Sequence, residues 1–287
     1  MKFMAEDKGT LYLCSTPIGN LGDISERCLE ILNTVDLIAA EDTRRTLCLL
    51  NHFGISKALT SYHEHNKKSK GEYILRLLSE GKNVAQVSDA GTPAISDPGE
   101  DLVRLCIEND IDVTAVPGPV AGINALILSG FSTSRYAFEG FLSVNKHNRK
   151  EHLDSVKYDT HTLIFYEAPH KLCSTLKDMC AVFGENRRIA LARELTKVHE
   201  QILRMTIAEA MEYYSQTSPR GEYVIVVEGA DKSENKSEIE AFWANMSIKE
   251  HVDKYISDGM NTKEAVKAAA EDRAMPKRDV YNEYHCN

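Results

Sequence analysis

Strand and helix patterns alternate through the first half of this chain, and this alternation constrains the fold more than any other feature of the sequence. Short apolar runs predict strands at residues 10–15, 35–40, 83–87 and 112–116. Helical spacing between and after them predicts helices at residues 25–33, 43–53, 67–80, 100–108 and 120–129. Such alternation is typical of a parallel sheet with helices on both faces, in which ligands bind beyond the carboxyl ends of the strands.

The second half orders its elements differently. Apolar runs predict strands at residues 137–142, 160–166, 188–193, 199–206 and 223–227, and helical spacing predicts helices at 146–156, 170–182 and 207–215. The short polar turn between two of these strands predicts a hairpin, so this second sheet is expected to be mixed or antiparallel. Turn-forming residues at 129–134 predict a domain boundary. We therefore expect an N-terminal α/β domain at 1–131 and a second α/β domain at 132–230.

A third segment, residues 231–287, is expected to contain a linker and a small helical extension. A charged polar stretch at 231–237 is typical of a linker, and a capped helix pattern follows at 261–270. A turn at 275–276 then enters another helix, with Lys277 and Arg278 near its start. This geometry suits phosphate contact, and it equally fits a simple packed helical hairpin.

Length and composition limit the class of protein. The chain has 287 residues, 43% of them apolar, which is enough for two packed domains. No apolar run approaches the roughly 18 residues that a membrane span needs, and the first residues do not form a signal peptide. Seven cysteines without Cys-x-x-Cys spacing suit buried thiols in a reducing cytosol, and no zinc-ligand spacing occurs, so we predict no metal.

The charges are unevenly spread. The formal net charge of −9 argues mildly against nucleic-acid binding, because phosphate contacts need basic groups. Local basic clusters nevertheless permit a basic face, although each cluster alone equally fits solvated surface. These clusters lie at residues 44–45, 67–70, 146–150, 187–188 and 277–278.

Turn-rich loops follow several predicted strands. The stretch 88–99 places small residues between a strand and a helix, where a ligand can approach bare backbone, and Asp89 can accept hydrogen bonds from a ligand. The loop at 16–23 lacks the Gly-x-Gly-x-x-Gly spacing of dinucleotide sites, and the chain has no Gly-x-x-x-x-Gly-Lys phosphate loop. A phosphate-free adenosine cofactor therefore fits better, with S-adenosylmethionine the obvious candidate, unless these loops are ordinary turns.

Further charged residues gather at other loops. At 40–46, Asp42 is placed to cap a helix, while Glu41 and Arg44 could face a substrate. Residues 193–200 place many polar side chains between two strands, and 219–222 precede the last strand of the second domain. Each of these loops is either well solvated or part of a site.

Taken together, these segments resemble the tetrapyrrole methylase superfamily, and within it the branch of small-subunit ribosomal RNA (cytidine-2′-O)-methyltransferases. The resemblance runs from about residue 10 to 230, and it is looser in the tail. Departures are minor and fall at Ser15, Ala168 and Lys171. The matching motifs lie at residues 16–23, 40–44, 88–93, 116–119, 166–170, 193–197 and 221–222.

The resemblance implies two α/β domains that bind S-adenosylmethionine between them. It implies methyl transfer to a ribose 2′-hydroxyl of a decoding-region cytidine in 16S ribosomal RNA, on a substrate close to an assembled small subunit. It also implies a homodimer, working in the cytoplasm. Carried over by motif, the cofactor contacts are expected at Pro17, Ile18, Gly19, Asn20, Asp89, Ala90, Gly91, Thr92, Ala121, Gly122 and Tyr166.

A ribose hydroxyl is a poor nucleophile at neutral pH, so a base or a cation must assist its deprotonation. We take Glu194 as the candidate base and Lys197 or Arg193 as the charge that steadies the developing alkoxide. A salt-bridged hairpin turn explains these three residues equally well. The candidates for RNA contact are Arg44, Lys146, Arg149, Lys150, Lys277 and Arg278.

Three other functions stay open from the sequence. A methyltransferase of a small tetrapyrrole would have a roomy apolar cleft and no role for the tail. Methylation of a modified protein side chain would use the same cofactor. A non-catalytic RNA-binding assembly factor could keep the fold and would fail to bind S-adenosylmethionine.

Overall fold

The computed structural model describes residues 8–231, 243 and 245–285. Its first sheet is parallel throughout, with the strand order β3-β2-β4-β1-β5. Every residue of β2 and β4 is buried, as expected where helices cover both faces. The parallel sheet is confirmed, and the short strand β3 was missed because three residues give no usable period. The strands are β1 (Thr10–Cys14), β2 (Leu37–Ala40), β3 (Leu59–Ser61), β4 (Val84–Val87) and β5 (Asp112–Val116).

Helices begin where the sequence supplies caps. The Ser25 hydroxyl accepts a hydrogen bond from the Cys28 N–H, and the Asp42 carboxylate accepts one from the Arg44 N–H. Two apolar cores form on opposite faces of the first sheet, one around Ile74 and one around Leu32. The helices of this half are α1 (Glu26–Thr34), α2 (Thr43–His52), α3 (Lys67–Ser79), α4 (Glu100–Glu108) and α5 (Ala121–Ser129).

The second sheet is mixed, as predicted. Its order is β6-β7-β10-β8-β9, with β6 parallel to β7 and the other pairs antiparallel. The predicted hairpin is confirmed as β8 paired with β9. The elements are β6 (Tyr136–Phe141), β7 (Thr162–Glu167), β8 (Arg188–Arg193), β9 (Gln201–Thr206), β10 (Tyr223–Val227), α6 (Lys146–Ser155), α7 (Pro169–Phe183) and α8 (Ile207–Gln216).

Helix α5 packs against the second sheet rather than the first. Its buried Ala125 and Leu126 join a core with Ile164, Ala190 and Val224. The turn-rich stretch at 129–134 therefore ends a helix that already belongs by packing to the second domain. The expected boundary at residue 131 differs from this packing because turn residues mark where a helix stops, not which sheet covers it.

Within residues 245–285, three helices form a separate cluster. They surround a small core that contains Val252, Val266 and Val280. The predicted hairpin corresponds to the second and third helices, and the first was not predicted. Most of the expected linker lies outside the described residues. No described helix is long and apolar enough to cross a bilayer. The helices are α9 (Ile248–Ser257), α10 (Thr262–Asp272) and α11 (Lys277–His285).

Candidate active site

A cavity of about 600 Å³ lies where loops of both α/β domains meet. The first domain supplies residues that follow β1, β2, β4 and β5, all at the carboxyl edge of the parallel sheet. The second domain supplies residues from β6, β7, β8 and β10 and the loops beside them. The lining side chains include Ile18, Glu41, Arg45, Asp89, Thr92, Ile95, Asp97, Ala121, Phe141, Tyr166, His170, Leu195, Lys197 and Glu222.

The loop after β4 is held in place by its neighbours. Gly91, at φ +83°, exchanges two backbone hydrogen bonds with Thr16, at 2.9 and 3.0 Å. The Thr92 hydroxyl lies 2.8 Å from the Ser15 hydroxyl and donates to the Pro119 carbonyl at 3.0 Å. These hydrogen bonds join the loops that follow β1, β4 and β5. Ala90, Gly91 and Thr92 all line the cavity.

Asp89 bridges the loops after β2 and β4. One carboxylate oxygen accepts the Asp42 N–H at 3.0 Å, and the other lies 3.2 Å from the Arg45 guanidinium. The Asp89 side chain is about three-quarters buried and lines the cavity, and its contact with a ligand stays a prediction.

The loop at residues 16–23, which follows β1, lines two neighbouring cavities. Ile18 lines the main cavity, whereas Pro17 and Gly19 line a neighbouring cavity of about 390 Å³. The Asn20 N–H donates to the Thr196 hydroxyl at 3.1 Å, which joins this loop to the β8–β9 hairpin. The structure therefore gives Asn20 a role in holding two loops together.

The start of α5 meets Tyr166 at the end of β7. The Gly122 N–H donates to the Tyr166 hydroxyl at 3.0 Å, and Ala121 lines the cavity beside them. Burial raises the pKa of Tyr166, so the hydroxyl stays neutral. Phe138 and Phe141 contact its ring edge to face, which fixes the ring at the cavity wall.

The three candidates for chemistry in the β8–β9 hairpin are tied to one another or to backbone. The Glu194 carboxylate accepts the Glu222 N–H at 2.9 Å and the Lys197 ammonium at 3.0 Å. Partial burial opposes its ionisation, but these two contacts hold the pKa of Glu194 below its usual range. Arg193 donates to the Arg220 carbonyl at 2.7 Å.

These contacts change how the hairpin residues are interpreted. One oxygen of the Glu194 carboxylate accepts both contacts. Because a carboxylate with a lowered pKa is a weak acceptor for a further proton, Glu194 is better placed to position Lys197 than to act as the base. Lys197 lines the cavity and also contacts the Glu222 carboxylate at 2.9 Å. Although partial burial lowers the pKa of Lys197, the bonds to both glutamates raise it above its usual value.

Two further acidic residues line the cavity: Glu41, which the sequence suggested could face a substrate, and Asp97, which was given no role from the sequence. Burial, followed by the nearby Asp89, raises the pKa of Glu41. Burial and the charges of Glu41 and Asp89 raise the pKa of Asp97 to about 7, against a hydrogen bond with Ser88 that lowers it. Asp97 was overlooked because Asp89 follows the strand directly, and only the loop's path brings the later residue back to the cavity.

Five of the six candidates for RNA contact have exposed side chains, and the sixth, Arg149, is mostly buried. Lys146, Lys277 and Arg278 are exposed, and so is Lys150, which pairs with Asp154 at 2.9 Å. The Arg44 side chain is 89% exposed and pairs with Asp42, the cap of its own helix.

Arg149 differs from the others. Its side chain is only 15% exposed, lies 2.7 Å from the Asp178 carboxylate and donates to the Ser143 carbonyl at 3.0 Å. The structure therefore gives Arg149 a role in fixing α6 against α7, since its donors point inward. In the parts of the chain that are described, no three His, Cys, Asp or Glu side chains are grouped as a metal site.

Comparisons with known proteins agree with this architecture. Residues 10–211 match the family model of tetrapyrrole (corrin/porphyrin) methylases. A protein of Halalkalibacterium halodurans named ribosomal RNA small subunit methyltransferase I is 48% identical, over 98% of this chain and 96% of its own length. A Bacillus subtilis protein of the same name is 47% identical over 97% and 95%.

Solved structures show the same fold at low sequence identity. The methyltransferase CobJ superposes with a TM-score of 0.59 at 16% identity, covering 77% of this chain and 95% of its own. A uroporphyrin-III-C-methyltransferase from Thermus thermophilus gives a TM-score of 0.55 at 16% identity, covering 76% and 94%. At this identity the likeness concerns the fold alone.

Proposed function

The chain belongs to the tetrapyrrole methylase family, within the group of small-subunit ribosomal RNA methyltransferases I, and from this premise we propose its reaction. It is a methyltransferase of small-subunit ribosomal RNA that uses S-adenosylmethionine. The acceptor we propose is the ribose 2′-hydroxyl of a cytidine in the decoding region of 16S ribosomal RNA. The observation that carries the proposal is the near full-length agreement with relatives of that name.

The cavity fits the cofactor. Its volume of about 600 Å³ suits a nucleoside-sized ligand. The Asp89 and Glu41 carboxylates favour a cationic group, and the glycine and alanine positions at 90–91 and 121 let a ligand approach the backbone. When bound, S-adenosylmethionine supplies a methyl group made electrophilic by its sulfonium. The residues proposed to hold it are Pro17, Ile18, Gly19, Asn20, Asp89, Ala90, Gly91, Thr92, Ala121, Gly122 and Tyr166.

We propose that the main contribution of this chain to the reaction is to position the methyl donor and the acceptor oxygen relative to each other. The loops from both domains close around one space, so donor and acceptor are held in line, and orientation of this kind can supply up to about 7–11 kcal/mol of the barrier. Lys197, anchored by Glu194 and Glu222, places a positive charge at the cavity wall. We propose that this ammonium steadies the negative charge that develops on the ribose oxygen.

The test is direct methylation of the natural substrate. Purified protein is incubated with methyl-labelled S-adenosylmethionine and small subunits from cells that lack the enzyme, and the labelled nucleoside is mapped. Label on a decoding-region cytidine, in a linkage that resists alkali because the 2′-oxygen is blocked, is the expected result. Label on a base, or transfer to a small tetrapyrrole or a protein but not to subunits, would contradict the proposal.

Assembly and location are also proposals. A homodimer is supported by the exposed Tyr136, Phe138 and Phe141 on β6, an edge strand of the second sheet. Light scattering that gives a single-chain mass at micromolar concentration would contradict it. The cytoplasm is proposed as the place of action because the substrate is ribosomal RNA.

A further inference from the structure

Asp97 lies on a wall shared by two cavities. It lines the main cavity together with Glu41 and Ser96, and the same three residues line a second cavity of about 510 Å³. The second cavity extends past Tyr62 to the starts of α3 and α4. An acceptor that enters from the second cavity would therefore reach the methyl donor beside Asp97.

Three other carboxylates around the site already have partners. Asp89 accepts a backbone N–H and pairs with Arg45, and Glu194 accepts a backbone N–H and pairs with Lys197. Glu167 accepts the Ala168 N–H at 2.8 Å and the Thr175 hydroxyl at 2.5 Å. Asp97 contacts the Ser88 hydroxyl, and the described residues include no ion pair to it. Glu41 also has a raised pKa, but a backbone hydrogen bond from Asp89 and the positive charges of Arg45 and His63 favour its ionised form, whereas no cation in the described part of the chain acts on Asp97. Of these carboxylates, Asp97 is therefore the best able to take a new proton.

The loop that carries Asp97 holds a fixed path. Ala94 and Ser96 adopt positive φ values of 69° and 62°, which non-glycine residues adopt only when their surroundings require it. The buried Gln86 side chain donates to the Pro98 carbonyl just beyond. Because both sides of Asp97 are constrained, its carboxylate keeps its place at the shared wall.

We propose that Asp97 is the catalytic base of the methyl transfer, an inference that rests on the proposed function. As the ribose 2′-oxygen bonds to the methyl carbon, the carbon–sulfur bond breaks and its electron pair goes to sulfur. The hydroxyl proton passes to an Asp97 carboxylate oxygen and then to solvent. The products are the 2′-O-methylated ribose, a neutral thioether and a proton.

The charges around Asp97 suit this role. Burial and then Glu41 raise its pKa to about 7, so it changes charge near neutral pH. A bound sulfonium would favour the ionised carboxylate, and the loss of that positive charge during transfer would raise the proton affinity of Asp97 as the hydroxyl gives up its proton. The group nearest in effect is Glu41, followed by Asp89. The titratable and charged side chains that line the two cavities with Asp97 are Glu41, Arg45, Tyr62, His63, Glu64, His65, Lys67, Asp89, Glu100, Asp101, Tyr166, Glu167, His170, Lys197, Glu222 and Tyr223.

The first experiment measures single-turnover methyl transfer to small subunits between pH 5.5 and 8.5. At pH values below the pKa of Asp97, the wild-type rate is expected to fall tenfold for each pH unit, because the base is protonated there; this is the acid limb of the profile. Asp97→Asn should lower the rate by roughly 10²–10⁴-fold and remove this acid limb. The matched control is Asp112→Asn, an exposed position at the start of β5, which should behave as wild type. An Asp97→Asn enzyme that keeps the wild-type rate or the wild-type acid limb would overturn the inference.

A second readout needs no turnover. Calorimetry at pH 6.5, in buffers of different ionisation enthalpy, measures the protons released when S-adenosylmethionine or the neutral S-adenosylhomocysteine binds. Wild type should release more protons with the sulfonium, because Asp97 ionises beside it, and Asp97→Asn should abolish the difference. An equal difference in both proteins would overturn the inference.

A third variant keeps the inference testable if Asp97→Asn fails to fold. Glu41→Gln removes a charge that raises the pKa of Asp97, so the acid limb of the rate profile should move to lower pH. An acid limb that stays at the wild-type pH in Glu41→Gln would contradict the assignment of Asp97 as the base. If wild type methylates no subunits, the proposed function fails, whereas active wild type with an insensitive Asp97→Asn defeats only this inference.

Discussion

At the scale of single residues, the site depends on which carboxylates are already engaged. Asp42, Asp89 and Glu194 each accept a backbone N–H and pair with a cation, so their charges are used to hold loops. Asp97 has no such cation among the described residues, and its pKa is raised instead of lowered. Similar side chains in adjacent loops therefore differ in their availability for chemistry because their neighbours differ.

Glu194→Gln tests whether this residue positions Lys197 or takes the proton. Glutamine keeps an oxygen for the Glu222 N–H, and Lys197 keeps the Glu222 carboxylate, so turnover should fall about tenfold or less. The lowered pKa of Glu194 keeps it ionised throughout pH 5.5–8.5, so the acid limb should stay in place. Single-turnover rates across this range measure both. A loss of 10²-fold or more together with loss of the acid limb would restore Glu194 as the base.

At the scale of elements, one close contact joins the first loop to the β8–β9 hairpin. A Cβ added to Gly19 would come within 2.4 Å of Lys197 Cγ and 2.9 Å of Thr196 Oγ1. The hairpin would have to move, because both neighbours are tied by hydrogen bonds.

We therefore expect Gly19→Ala to displace the hairpin and with it Lys197 at the cavity wall, and so to weaken S-adenosylmethionine binding, as measured by calorimetry. Gly22→Ala is the control from the same segment, since its added Cβ would approach only the Asn20 side-chain oxygen at 3.3 Å. Equal affinities for the two variants would show that the Gly19 contact does not shape the site.

Helix α8 begins with a capping box, which matches the Thr-x-x-Glu spacing at residues 206–209. The Thr206 hydroxyl accepts the Glu209 N–H, and the Glu209 carboxylate accepts the Thr206 N–H at 2.7 Å. Thr206→Ala should lower the free energy of unfolding by about 0.5–2 kcal/mol, measured by urea denaturation. Ser215→Ala, in the same helix and bonded only to the Glu212 carbonyl, should stay within about 0.5 kcal/mol of wild type. If Ser215→Ala lowers the free energy of unfolding as much as Thr206→Ala does, the capping box makes no particular contribution to stability.

At the scale of the whole molecule, an acidic protein must bind an anionic polymer. The net charge of −9 opposes RNA binding, so we propose that binding depends on local basic groups such as the exposed Lys277 and Arg278 at the start of α11. Arg149 is not available for this purpose, because it is paired with Asp178.

We expect substitution of both Lys277 and Arg278 by alanine to flatten the plot of log affinity against log salt concentration by about 1.4, or about 0.7 per lost phosphate contact to single-stranded RNA. The measurement is filter binding to small subunits at several salt concentrations. The control replaces Lys263 and Lys267, exposed lysines on α10 of the same helical cluster. An unchanged slope for the first pair would assign Lys277 and Arg278 to solvated surface.

Much of the architecture followed from local sequence. Helices α4 and α5 matched their predicted spans closely, and Ser25 and Asn261 cap helices as their positions indicated. The loops that line the cavity were also predicted, because they follow apolar strands and the carboxyl ends of parallel strands share one edge. Periodicity and capping act within a few residues, so one sequence is enough to read them.

One sequence was enough to predict most of the helices and strands, the mixed second sheet, the loops that line the cavity and the resemblance to a methylase family. Long-range packing, in contrast, places α5 on the second sheet, pairs Arg149 with Asp178, and leaves Asp97 facing two cavities while Glu194 is paired with Lys197. Each of these depends on contacts between residues far apart in the chain. Burial and pairing set the charge and the availability of a side chain, and neither is encoded in its immediate neighbours.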